Sequence, residues 1–122
     1  MKMNTTYQYK VADLIQRVLS TVLQRESRDP RLSGVTITDV EVSQDLMHAN
    51  IYYTHIGDLS ETEEIQRALE KAAGFLRTEL ARRTRLRRVP ELRFKYDDTL
   101  LRAKRIDELL EQISREREQK EE

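Results

Sequence analysis

The sequence predicts a small α+β domain in which helices pack against a three-stranded sheet. Three observations predict it. One long stretch near the N-terminus repeats apolar residues at helical spacing, and three later stretches alternate apolar and polar residues at strand spacing. The chain's 122 residues suffice for a single core.

From Tyr9 to Ser27 the residues Val11, Leu14, Ile15, Val18, Leu19, Val22 and Leu23 fall at i, i+3, i+4, i+7, i+8, i+11 and i+12, an amphipathic helix. Pro30 lacks an N–H and drives Asp29 out of the α region, so this helix ends before Asp29. Gly34 then opens a β-branched run, Val35 to Val42. Val35 and Ile37 lie on one phase of it and Val40 and Val42 on the other, so a bulge near Thr38 or Asp39 is expected. A second strand follows, in which Ala49, Ile51 and Tyr53 alternate with His48, Asn50, Tyr52 and Thr54; it pairs back on the first through a hairpin loop at Ser43 to Met47.

Ser60 followed by Glu63 is a capping-box pattern, which starts a helix burying Ile65, Leu69 and Ala72. Gly74 is expected to interrupt it, with Phe75, Leu76, Leu80 and Leu86 continuing the apolar register in a further helix after a kink. Leu92, Phe94 and Tyr96 alternate with Glu91, Arg93 and Lys95 as a third strand, entered through Pro90. Asp97, Asp98 and Thr99 offer cap chemistry for a last helix with Ile106, Leu109, Leu110 and Ile113 on one face. Residues 1–114 thus read as one domain, and the charged residues 115–122, without an apolar side chain, as a disordered tail.

Charged residues make up 36% of the chain and balance at 22 of each sign, so any attraction to a polyanion must come from segregated charge. The charge is segregated. Eight Arg and Lys stand against two Glu between Arg77 and Lys95, whereas Asp58 to Glu70 carries five acids against Arg67. Asp107 to Glu122 carries seven acids against three bases.

On a helical wheel Arg77, Arg85 and Arg88 fall together opposite the apolar arc, with Arg82 at their edge. Arg83 and Arg87 fall inside that arc, so either they snorkel over the core rim or the helix frays before Arg87, the alternative that Pro90 favours. The planar guanidinium fork suits bidentate phosphate contacts and base stacking, and the stripe reads as a nucleic-acid footprint. The plainer reading is a solvated face with i,i+4 pairs such as Glu79 with Arg83.

Other chemistries find no pattern here. The chain has no cysteine, which excludes disulfides and thiolate ligands, and its three glycines form no phosphate-binding motif. His48 and His55 are seven apart, on opposite faces of an unbroken strand, with no third ligand at metal spacing. Asp97 and Asp98 point apart as neighbours and suit a helix cap better than acid–base work. No serine sits in a nucleophile elbow, so neither an enzyme nor a cofactor is expected. Tyr53 and Tyr96 lie on the apolar phase of their strands, leaving Tyr52 as the exposed aromatic candidate. No signal-peptide core and no 18-residue apolar stretch is present, and the reading is a soluble, cytoplasmic monomer without a membrane span.

Several stretches resemble one family, in order and at matching spacing: Asp29-Pro30-Arg31, the run from Val35 to Leu46, Ala72-Ala73-Gly74-Phe75-Leu76-Arg77, Arg85 to Leu92, and Phe94 to Leu100. Together they are similar to bacterial ribosome-binding factor A, over about Tyr9 to Ile113. The resemblance implies a type II KH-like domain with a mixed sheet, the first strand central and the third parallel to it. It further implies that an Ala-x-Gly kink, here Ala72, Ala73 and Gly74, replaces the glycine-rich loop of ordinary KH domains. Small residues there would bring the N–H groups of a second helix near a phosphate, beside Arg77, Arg82, Arg85 and Arg88. Without a G-x-x-G clamp, recognition through RNA shape and phosphates is expected.

The implied function is non-enzymatic. Such a protein binds the small (30S) ribosomal subunit or its precursor, assists late processing of 16S ribosomal RNA, and supports growth in the cold. The competing class is a protein-interaction module whose arginine face meets an acidic partner. Direct binding of RNA by the purified protein separates the two.

Overall fold

The structure, a computed structural model, describes residues 5–121. The element order is α1 (Thr6–Arg25), β1 (Val35–Val42), β2 (His48–His55), a short 3-10 turn (Leu59–Glu61), α2 (Thr62–Arg83), β3 (Glu91–Tyr96) and α3 (Thr99–Glu121). The domain is thus α+β with a mixed sheet, as expected.

Helix α1 begins earlier than its apolar repeat. The Thr5 hydroxyl accepts the Gln8 N–H at 3.2 Å and the Gln8 side-chain oxygen accepts the Thr5 N–H at 2.8 Å, a reciprocal cap. Its buried stripe is Val11, Ala12, Ile15, Leu19, Val22 and Leu23, and the helix stops at Arg25, short of Asp29.

The sheet order is β1-β2-β3, with β1 antiparallel and β3 parallel to β2. The centre is therefore β2, which corrects the expectation that β1 would be central. A hairpin places β2 beside β1, and the long connection through α2 lets β3 pair in parallel on its free side. The expected bulge lies between Ile37 and Asp39, and it restores Val40 and Val42 to the inner face. Three rows then cross that face: Val42, Ala49 and Leu92; Val40, Ile51 and Phe94; and Ile37, Tyr53 and Tyr96. Helices α1 and α2 cover them, and Tyr53, Ile51, Ile15, Leu19, Leu69, Leu76 and Leu80 are fully buried.

Helix side chains also occupy carbonyls of both edge strands. Gln8 and Gln16 of α1 donate to the Val42 and Ile37 carbonyls at 3.1 and 3.2 Å, and Gln66 of α2 donates to that of Phe94 at 2.8 Å. Each bond satisfies an acceptor that would otherwise invite another strand.

Helix α2 departs from expectation twice. The Ser60–Glu63 capping box does not form; Asp58 accepts the Ser60 N–H at 3.0 Å and a 3-10 turn leads into the helix. More important, α2 runs unbroken from Thr62 to Arg83 through Ala72, Ala73 and Gly74, so the two helices expected there are one. Its last turn is capped at Thr84, three residues before Arg87.

Helix α3 continues through Glu121 where a disordered tail was expected from 115; Glu122 lies outside the described residues. Ile106, Leu109, Leu110 and Ile113 share a face, yet all four are exposed. The reason is that α1 and α2 already cover the one apolar face of the sheet, and the opposite face is polar.

Candidate nucleic-acid interface

The segment from Thr84 to Pro90 links α2 to the edge strand β3, and its basic residues sit on this connection instead of on a helix face. That corrects the placement of Arg85 and Arg88, which the wheel puts on α2 beside Arg77. The α2 helix cannot extend to them, because Thr84 turns to an extended backbone and its hydroxyl binds the Leu80 carbonyl at 2.6 Å. Pro90 follows, already buried, just ahead of β3.

Arg77 nevertheless meets this connection. Its guanidinium donates to the Val89 carbonyl at 3.0 Å, tying the middle of α2 to the residue next to Arg88. Arg88 in turn contacts the sulfur of Met47, at the tip of the β1–β2 hairpin. That tip is ordered by Asp45, whose carboxylate accepts from the Ser43 hydroxyl and the Met47 N–H and is held below its ordinary pKa mainly by the former. The Glu91 N–H bonds the Met47 carbonyl at 2.8 Å, closing hairpin, arginine connection and β3 into one surface.

Arg82 is not part of that surface. It lies in the last turn of α2, pairing with Glu79 at 3.3 Å, and points to the side of α2 that faces α1. Beside it Arg83 bridges Glu79 and Glu26, pinning the ends of α1 and α2 together; Glu26 is held below its ordinary pKa by that bond. Of the basic cluster, then, Arg83 is held between two carboxylates, whereas Arg82 touches one of them and keeps most of its side chain in solvent. Arg85, Arg87, Arg93 and Lys95 are exposed and, among the described residues, their side chains make no hydrogen bond or ion pair.

The polar sheet face continues the asymmetry. Its rows run Glu41, Asn50, Arg93 and Asp39, Tyr52, Lys95, from acid on β1 to base on β3. Tyr52 is half-buried between them, its phenol pushed up by burial and by the carboxylates of Glu41, Asp39 and Asp97, so it stays protonated. Sequence reasoning counts Arg93 and Lys95 in the basic run without placing them in the site. Their alternation with buried Leu92 and Phe94 is the signal that they share an open face with Tyr52.

Ala72, Ala73 and Gly74 do not supply a helix N-terminus, since no second helix starts there and their N–H groups lie mid-helix. A Cβ at Gly74 would meet no atom within 4 Å, so Gly74 itself faces open space while Ala72 and Ala73 pack on the core. Among the described residues no cluster of His, Asp or Glu could hold a metal, and no helix is long and apolar enough to cross a membrane.

A parallel strand pair joined by one covering helix, a third strand paired in hairpin, and cations at the helix–strand connection define a KH-like domain with a basic edge. Comparison with known proteins narrows this class. The family model for ribosome-binding factor A matches residues 7–110. The protein called ribosome-binding factor A in Methylobacillus flagellatus is 51% identical over 104 residues, covering 84% of this chain and 81% of that one. Its namesake in Nitrosospira multiformis is 42% identical over 113 residues, 92% and 90% of the two chains. The crystal structure of ribosome-binding factor A from Thermus thermophilus superposes with a TM-score of 0.65 at 31% identity, over 73% of this chain and 94% of that one. A homology model of Thermus thermophilus ribosome-binding factor A, as fitted into a cryo-EM map of its 30S complex, superposes with a TM-score of 0.60 at 28% identity, over 78% of this chain and 96% of that one. The chain belongs to the ribosome-binding factor A family.

Proposed function

We propose that this protein binds the small ribosomal subunit or its precursor in the cytoplasm, and assists late maturation of 16S ribosomal RNA through non-covalent contacts alone. The observation that carries this reading is the set of uncommitted cations, Arg85 and Arg87 beside Arg88 on the α2–β3 connection and Arg93 and Lys95 along β3. Family membership supports the choice of partner, as does the related Thermus protein fitted in a 30S complex. Arg77 acts as a brace in this reading, since its bond to Val89 fixes the backbone beside Arg88. A protein that holds RNA this way favours whichever RNA conformation it binds more tightly, and is displaced once the mature conformation loses those contacts.

The test is direct binding of 16S ribosomal RNA by the purified chain across a salt series. Arg85→Ala and Arg88→Ala should each lower the slope of log affinity against log salt by about one, additively. An unchanged slope in the double variant refutes phosphate contact at these positions. If the chain binds no RNA at low salt, the basic edge serves an acidic protein partner instead.

A further inference from the structure

We propose that the groove between the end of α1 and the middle of α2 seats one unstacked base of single-stranded RNA, with the Phe75 ring as its stacking platform and Lys71 and Arg28 meeting the adjacent phosphates. This rests on the RNA-binding reading above and adds a second contact to it, on another side of the domain. Phe75 and Arg77 are separated by roughly 160° around α2. The groove is therefore not part of the arginine connection.

Phe75 is the first reason. Sequence periodicity places it in the core with Leu76 and Leu80, but its side chain is 47% exposed while those two are fully buried. An aromatic ring left in water on a helix whose other large apolar residues, Ile65, Leu69, Leu76 and Leu80, are all buried is an uncommitted surface. Its neighbours Ala72 and Gly74 are small, and nothing lies within 4 Å of the space a Cβ on Gly74 would fill, so the ring can be approached from outside.

The groove beside it has a volume of about 560 Å³ and a floor of Leu32, Ala68 and Ala72. That floor is apolar, as a base face requires, and the polar groups stand at the rim. The rim charges decide what can enter. Two carboxylates are present, but Glu26 is held by Arg83 and Asp29 by Arg31 at 2.8 Å, and both pKa values are lowered by those bonds. The side chains of Arg28 and Lys71 are exposed and make no hydrogen bond or ion pair among the described residues; Lys71 acts on Asp29 only through space. The charge left over at the groove is positive, which fits phosphate on either side of a seated base.

The same pattern extends along α2. Lys71, Phe75, Thr78 and Arg82 are spaced i, i+4, i+7 and i+11, so they form one ridge, cation, aromatic, hydroxyl and cation, about 16 Å long. Arg82, although it touches Glu79, keeps 72% of its side chain in solvent. Alternation of cations with an aromatic face is how sequence-tolerant single-strand sites are built.

The experiment compares the full chain with Phe75→Ala, Phe75→Leu and Lys71→Gln variants, each checked by thermal melting. The probes are an RNA hairpin with an unpaired loop and a blunt RNA duplex of the same stem. Phe75→Ala is expected to weaken hairpin binding roughly tenfold, the worth of one stacked base, and to leave duplex binding unchanged. Phe75→Leu should weaken it nearly as much, because leucine keeps the apolar volume without a π-face. Lys71→Gln should lower the salt slope by about one. Hairpin affinity at the wild-type level in Phe75→Leu overturns stacking. So does wild-type RNA affinity in Phe75→Ala combined with weakened pelleting on small subunits, which would assign the ring to a ribosomal protein. If the wild-type chain binds neither RNA, this proposal and the functional reading fall together; if Arg85→Ala weakens binding and the Phe75 variants do not, only this proposal falls.

Discussion

Replacing Gly74 by alanine should stabilise the protein, and the size of the gain follows from where the residue sits. Gly74 is the thirteenth of the 22 residues of α2. Its backbone is helical, and an added Cβ meets nothing within 4 Å, so alanine brings no clash. What remains is the conformational entropy that glycine loses in a helix interior, about 0.8–1.0 kcal/mol relative to alanine. For a chain of this length the unfolding entropy near the midpoint is roughly 0.25 kcal/mol/K, which converts the gain to a Tm rise of about 3–4 °C. Gly74→Val, with a stiffer side chain, should stay within about 0.5 kcal/mol of the wild type. Calorimetric melting of the three proteins in one buffer measures both. A lower or unchanged Tm for Gly74→Ala would mean that α2 bends or breaks at the Ala72-Ala73-Gly74 segment in solution, and would refute the continuous helix.

Two further outcomes follow from buried and capping contacts. The Tyr53 hydroxyl donates to the Gln66 side chain beneath the sheet, and burial, with Glu70 and Tyr96 nearby, pushes its pKa up to about 12, so it remains a donor. Tyr53→Phe should therefore lower stability by about 1 kcal/mol in denaturant titrations, and an unaltered midpoint would show that the bond contributes nothing. Asp97 accepts from the Thr38 hydroxyl at 2.6 Å and from Thr99, and these bonds hold its pKa below the ordinary 3.8. A carboxyl with a depressed folded pKa contributes stability that is present above its unfolded pKa and is lost as pH falls through the folded one. Asp97→Asn should then flatten the stability profile below about pH 4; acid limbs that coincide for the two proteins would contradict the assignment.

Much of the fold is legible because period and phase carry it. The change of phase between Ile37 and Val40 is enough to place the bulge, and the seven-position stripe from Val11 to Leu23 is enough to place α1. The order of the strands is not legible, since a parallel partner joined through a long connection can pair on either side of a hairpin. Gly74 misleads for a different reason. Its propensity favours a break, but Leu69, Leu76 and Leu80 pack on the core from both sides of it and hold one helix through it. Helix α3 has the amphipathic pattern of a core helix with no apolar surface left to meet, a fact about the other elements that its own residues do not carry.

The site is legible as a region and not as a geometry. The run from Arg77 to Lys95 names the basic segment, but a helical wheel extended past Thr84 gathers Arg77, Arg85 and Arg88 for the wrong reason. Only Arg77 is brought to the backbone beside Arg88, because it reaches Val89 across the α2–β3 connection, a contact twelve residues apart that periodicity does not register. Phe75 is hidden by the same periodicity, which assigns it to the core although it lies at the rim of a groove.

In the proposed function the basic edge between α2 and β3 holds this protein on the small ribosomal subunit. The most direct measurement is sedimentation of the full chain with isolated small subunits and precursor particles over a salt series, beside a variant carrying Arg85→Ala, Arg87→Ala and Arg88→Ala. The wild-type chain should pellet with the particles at low salt and be released as salt rises, and the variant, equally folded by thermal melting, should be released at distinctly lower salt. A variant that pellets like the wild type at every salt concentration, or a wild-type chain that pellets with neither particle, would contradict this role of the basic edge.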